Sequence, residues 1–99
     1  MANPLFVDKT KELRAFLPYA DINYRNHAIR DRMRPKNINK LDVQNVLRNG
    51  RVVAIEGLHW DETVNVLGKI EDGRKIEVVI SYDTETEQCT IHVITVIEK

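Results

Sequence analysis

The sequence predicts an α+β domain in which two to three N-terminal helices pack on one face of a roughly four-stranded, mainly antiparallel twisted sheet. Three observations carry this. Apolar residues recur at helical spacing as far as Leu47 and with a period of two after Arg51. Asp72-Gly73 lies between two apolar-rich arms, a strong hairpin signal because Gly accepts positive φ. A chain of 99 residues has material for one core and not for two. The expected organisation is therefore a single domain, with a lead-in and first helix over 1–22, basic helices over 23–50 and the sheet over 51–99.

Taken in order, Asn3-Pro4 reads as a lead-in, and Asp8 as the N-cap of a helix running to about Leu17 with Leu13, Phe16 and Leu17 as its apolar stripe. Pro18 ends it. Asp21 or Asn23 is positioned to cap a second helix reaching about Arg34, where Pro35 removes a donor and pushes its predecessor out of helical geometry. Asn39 and Asp42 have capping-box spacing for a third helix, with Val43, Val46 and Leu47 facing inward and Asn49-Gly50 as a left-handed stop.

Arg51–Ile55 reads as a first strand, followed by a loop carrying His59 and Trp60, with Trp60 a lid over the core. The hairpin follows. Val64, Val66 and Ile70 in one arm and Ile76, Val78 and Ile80 in the other each form a continuous apolar face, and Leu67 and Val79 add apolar groups behind, which makes the pair central to the sheet. Residues 83–87 form a polar turn, and 88–97, rich in β-branched side chains, form the last strand.

Hydrophobic residues at 42% and charged residues at 30% exclude a disordered chain, and no apolar run approaches the roughly 20 residues of a membrane span. The N-terminus lacks the basic start and long apolar stretch of a signal peptide, and the single Cys89 forbids an internal disulfide; both predict a cytoplasmic protein. The formal net charge of zero conceals an asymmetry: residues 23–51 hold eight basic side chains against Asp31 and Asp42, a net of +6. Such a surface suits a polyanion, or serves as a basic layer facing acidic parts of the same fold.

No metal cluster, glycine-rich phosphate loop or nucleophile triad is visible, so no cofactor is expected. The second predicted helix holds the candidate site. At about 100° per residue, His27, Arg30 and Arg34 share a narrow sector, with Tyr24, Ala28, Ile29 and Met33 opposite. Arg25 and Arg32 fall toward the buried side, where their guanidinium groups need carboxylate or carbonyl partners. His27 reads either as an acid–base group beside cations or as a helix histidine with a structural hydrogen bond. His92, Ser81 and Tyr82 read as strand residues.

The run His27-Ala28, Arg32-Met33, Ile38, Leu47-Arg48-Asn49-Gly50, Val52-Val53, Val66-Leu67-Gly68, Glu71-Asp72-Gly73-Arg74, Val78-Val79 and Ile94-Thr95-Val96-Ile97 resembles a family of small bacterial domains of unknown function grouped with RelE-like toxins, in the barnase–EndoU–colicin–RelE fold. The resemblance implies the toxin of a toxin–antitoxin module that cuts RNA, ribosome-bound mRNA included, with a small antitoxin protein as partner. It maps Arg32, Met33 and Lys36 onto motif positions. The spacing from His27 to Ile38 is a residue longer than the family pattern, and Arg34-Pro35-Lys36-Asn37 replaces its Arg-Gly turn. The resulting expectation is a metal-independent endoribonuclease with His27 and Arg32 as catalytic residues and Arg30, Arg34 and Lys36 on RNA. The alternatives are a degenerate toxin relative, or a non-enzymatic module whose exposed strand, Val52–Ile55 or the last one, pairs with a partner protein.

Overall fold

The structure, a computed structural model, describes residues 3–57, 62–83 and 89–99. His59, Trp60 and most of the turn expected over 83–87 lie outside the described residues. Helix α1 (Pro4–Phe16) and a short 3₁₀ turn (Leu17–Tyr19) lead into strand β1 (Ala20–Tyr24). A π-helix (Ala28–Met33), helix α2 (Lys40–Asn49) and strands β2 (Arg51–Glu56), β3 (Thr63–Lys69), β4 (Lys75–Asp83) and β5 (Cys89–Glu98) follow. Among the described residues the sheet has five strands in the order β1-β5-β4-β3-β2, with β1 parallel to β5 and the other pairs antiparallel.

The α+β class and the layering are as the sequence predicts, while the fifth strand and the parallel pair are not. Asp21 and Asn23 have the side chains of N-caps, yet they are the exposed positions of β1, alternating with half-buried Ala20, Ile22 and Tyr24. The segment is too short for its period of two to stand out, and its partner lies at the far end of the sequence. Helix α1 also starts earlier than Asp8. Asn3 is the N-cap, its side chain accepting from the Leu5 N–H at 2.9 Å, with Pro4 in the first turn where its missing donor does no harm.

Helix α2 has the expected capping box: the Asp42 N–H donates to Asn39 Oδ1 at 2.8 Å and the Asn39 N–H to Asp42 Oδ2 at 3.0 Å. Its end differs. Gly50 is extended (φ −79°, ψ −171°) and not left-handed. Its glycine identity is demanded by proximity, since a Cβ there would stand 2.5 Å from both Leu67 O and Val46 O. Gly68 faces the same junction, where a Cβ would meet Val46 at 3.2 Å. The two glycines let the end of α2 settle onto β3.

The hairpin forms, with Val64 paired to Ile80, Val66 to Val78 and Gly68 to Ile76. Its connection is longer than a two-residue turn. Gly73 (φ +86°) closes it, with the Gly73 N–H on Ile70 O at 2.9 Å and the Ile70 N–H on Arg74 O at 3.0 Å. In β5 a bulge opposite Val79 and Ile80 shifts the alternation, so that Ile91, Val93 and Val96 all face the core.

That core is one cluster on one face of the sheet. Leu13 of α1, Ala28 and Met33 of the π-helix, and Val43, Val46 and Leu47 of α2 cover Val52, Val64, Val66, Ile76, Val78, Ile80, Ile91, Val93 and Val96. Lys9 and Phe16 pin α1 to the sheet. Lys9 Nζ reaches Glu62 Oε2 at 3.1 Å and Glu12 Oε2 at 3.3 Å and lies 5.5 Å over the Tyr82 ring, whose centroid is 5.2 Å from that of Phe16. Burial works against the Lys9 charge, but the Glu62 hydrogen bond and the Tyr82 contacts outweigh it and hold its pKa above the ordinary lysine range.

Of the two strands offered as partner-binding edges, β5 lies inside the sheet between β1 and β4. β2 is an edge, but α1 packs beside it and the Val52 N–H is taken by Thr10 Oγ1 at 3.0 Å.

Val78 is fully buried at the centre of this face. Val78→Asp places a carboxylate without a partner among apolar side chains, at a cost of several kcal/mol. Thermal unfolding monitored by circular dichroism is expected to show loss of the cooperative transition at 25 °C.

Candidate functional site

The segment between β1 and α2 carries the candidate site, and its winding decides which side chains it displays. The Arg34 N–H donates to Ile29 O at 3.0 Å and the Ile38 N–H to Met33 O at 2.9 Å, both i→i−5 bonds. Ala28, Met33 and Ile38, five residues apart, are accordingly the buried positions. A wheel at 3.6 residues per turn misassigns this surface. Arg25 and Arg32, expected to point inward, are exposed, as are His27, Arg30, Arg34 and Lys36.

Both ends of the segment are tied down. At its start the Arg25 N–H continues the β1–β5 ladder to Val93 O at 3.1 Å, and Tyr24 Oη donates to Lys40 O at 3.3 Å. At its end Pro35 stops the winding and Asn37 takes a left-handed conformation (φ 55°), which Asn tolerates better than most residues. Arg74, from the β3–β4 hairpin, clamps this turn. Its Nη1 donates to Lys36 O at 2.6 Å and its Nη2 to Asn37 O at 3.3 Å, while Nε donates to Asp72 Oδ2 at 2.6 Å. The planar guanidinium reaches three acceptors through three separate nitrogens, a spread that the single nitrogen of a lysine does not reproduce.

The side chains sort into two groups. His27 Nδ1 lies 3.1 Å from Asp31 Oδ2, and Arg30 Nε donates to Asp31 Oδ1 at 3.3 Å, so one carboxylate holds both the imidazole and a guanidinium. The His27 hydrogen bond, with Arg30 in support, lowers the Asp31 pKa below the usual carboxylate range. Beside this group Asp31, Arg32 and Lys36 meet Val96, Ile97 and Glu98 of β5 around a shallow groove of about 260 Å³. Lys36 Nζ is 3.8 Å from Glu98 Oε2, and Arg74 Nη1 is 3.7 Å from Glu98 Oε1.

The structure thus brings His27 and Arg30 together through Asp31, and places Arg32 and Lys36 along the β5 groove. Arg34 is exposed at the C-terminal cap and joins neither group among the described residues. In the sequence Asp31 enters only the charge balance, although its position four residues after His27 is a spacing that brings helical side chains together. Arg74 and Glu98 act across long separations, and nothing in local spacing marks them. Among the described residues no three His, Cys, Asp or Glu side chains gather in a way that could hold a metal, and no helix is long and apolar enough to cross a membrane.

Arg74→Ala should free the Lys36 and Asn37 carbonyls and cost about 1–3 kcal/mol, and Arg74→Lys should recover little of it. Denaturant unfolding measures the loss, and the Asn37 amide resonance should move in both variants. His27→Ala should raise the Asp31 pKa toward its ordinary value, read from its carboxyl ¹³C shift. Since that pKa is depressed in the folded state, the stabilisation it reflects is present above the ordinary Asp range and fades as pH falls through the folded value. The acid limb of wild-type stability should therefore be steeper than that of His27→Ala.

No curated protein and no solved structure matches the chain. A family model described as a domain of unknown function, DUF4258, matches residues 24–98, from the last residue of β1 through the whole of the π-helix, α2 and the β2–β5 sheet, and leaves α1 outside. The chain belongs to the DUF4258 family.

Proposed function

We propose that this domain is a RelE-like toxin of a bacterial toxin–antitoxin module, acting in the cytoplasm as a metal-independent endoribonuclease with a small antitoxin protein as partner. The single observation that supports it most is the exposed His27–Asp31 pair standing among Arg25, Arg30, Arg32, Arg34 and Lys36. The family match names no activity, so the reading rests on this chemistry and on the motif resemblance.

In this reading Asp31 accepts the Nδ1 proton of His27 and fixes the tautomer, leaving Nε2 as the base. Nε2 takes the proton of a ribose 2′-hydroxyl, whose oxygen attacks the adjacent phosphorus. The bond to the 5′-oxygen breaks, solvent protonates that oxygen, and a 2′,3′-cyclic phosphate remains. Arg30 and Arg32 stabilise charge developing on the phosphoryl oxygens, and Arg34 and Lys36 hold flanking phosphates. Asp31 tempers the local positive charge, so Arg30 is shared between carboxylate and substrate.

With about three to four phosphates contacted, the log–log salt slope for single-stranded RNA should be roughly −2 to −3. Arg34→Ala should flatten it with little change in melting temperature, and Arg32→Ala, being exposed, should lower cleavage and leave stability alone. His27→Ala should lower turnover by about 10²–10⁴-fold at retained affinity. RNA binding without cleavage by the wild type, free or on ribosomes, identifies the degenerate relative; absence of RNA binding at low salt removes the proposal and leaves the protein-interaction module.

A further inference from the structure

We propose a second anion site, for a phosphoryl group, in a basic groove at the end of the sheet where β2 starts and the β3–β4 hairpin begins. Arg14, Arg51, Lys69 and Lys75 surround a space of about 320 Å³ over the backbone of Gly50 and Gly68. Among the described residues no acidic side chain lines it. In a chain whose formal charge sums to zero, four cations around one groove are a local concentration of charge.

The register shows why the groove is positive. Lys69 and Lys75 are direct cross-strand partners, and Arg51 stands opposite Leu67, two residues back along β3 on the same side. Directly opposed like charges destabilise a sheet, and an anion between them removes the repulsion. None of Arg51, Lys69 and Lys75 forms an ion pair among the described residues. Glu77, two residues along β4 on the same side, is engaged by Asn65 Nδ2 at 3.3 Å and by Lys99 Nζ at 3.6 Å.

Asn49 and Gly50, at the C-terminus of α2, line this place, and their carbonyl oxygens would repel an anion. Arg14 covers them: its Nη2 donates to Gly50 O at 2.9 Å and to Asn49 O at 3.5 Å. Gly50 and Gly68 contribute only backbone to the lining of the groove. A tetrahedral oxyanion with several acceptor oxygens suits converging ammonium and guanidinium donors. The groove shares no residue with the proposed RNA site on the π-helix and stands independently of it.

The test is an amide chemical-shift titration with inorganic phosphate, against sodium chloride at matched ionic strength. Saturable shifts at Gly50, Arg51, Gly68, Lys69 and Lys75 with phosphate alone are expected. The double variant Lys69→Gln with Lys75→Gln should weaken phosphate binding about tenfold or more. In phosphate-free buffer it should melt at or above the wild-type temperature, which separates lost binding from lost folding. Arg32→Ala with Arg34→Ala should leave the groove shifts unchanged. A parallel titration with a short oligoribonucleotide tells the source: much tighter binding at these amides assigns the groove to an RNA backbone, and equal binding assigns it to a small phosphate. Equal shifts with chloride, no shifts with phosphate, or undiminished binding by the double variant overturns the proposal.

Discussion

The requirement that Ala28, Met33 and Ile38 all reach the core governs the half of this molecule that carries the candidate site. Residues five apart fall on one side only if the backbone closes i→i−5 bonds, and the chain does so between Ile29 and Arg34 and between Met33 and Ile38. The π-helix is therefore a consequence of burial against β5, and the display of His27, Arg30, Arg32 and Arg34 is a consequence of the π-helix. In an α-helical winding Arg32 would turn toward the apolar layer, where its charge has no partner. Such segments are uncommon and recur at functional sites.

A segment of this kind needs support from outside, because its hydrogen bonds are few and its side chains mostly exposed. The parallel β1–β5 ladder holds its start and Arg74 its end. Both supports come from residues remote in sequence, one in the last strand and one in the hairpin. The candidate site is thus a surface feature whose geometry is set by the sheet. Asp31 acts within that frame as a local organiser, binding His27 and Arg30 with its two oxygens.

How much was legible follows from how local each signal is. The capping box of α2, the apolar faces of β3 and β4, and the stop at Pro35 are written in residues a few positions apart, and each appears where the pattern puts it. β1 was read as a helix start because Asp and Asn side chains cap helices in isolation, whereas pairing with β5 decides their use here. The inward assignment of Arg25 and Arg32 failed for one reason, a period assumed to be 3.6. The spacing of Ala28, Met33 and Ile38 was visible in the sequence, but only the packed sheet shows that all three are buried together. Asn49-Gly50 has the sequence of a left-handed helix stop, whereas the actual role of Gly50, making room for two carbonyl oxygens, depends on a neighbour from β3.

The pairing of Ala20 with Cys89 and of Tyr24 with Val93 joins residues about 70 positions apart in the chain. During synthesis β1 leaves the ribosome with no strand to meet, since β5 follows α2 and β2–β4 in the chain. Long-range pairings of this kind form late, after the entropy of closing the loop has been met. Until β5 arrives, Arg25 has no Val93 carbonyl to bind and the basic segment has no anchored start. The long separation thus makes the anchoring of the cationic segment a late step: its start is fixed only once β5 is free to dock on β1.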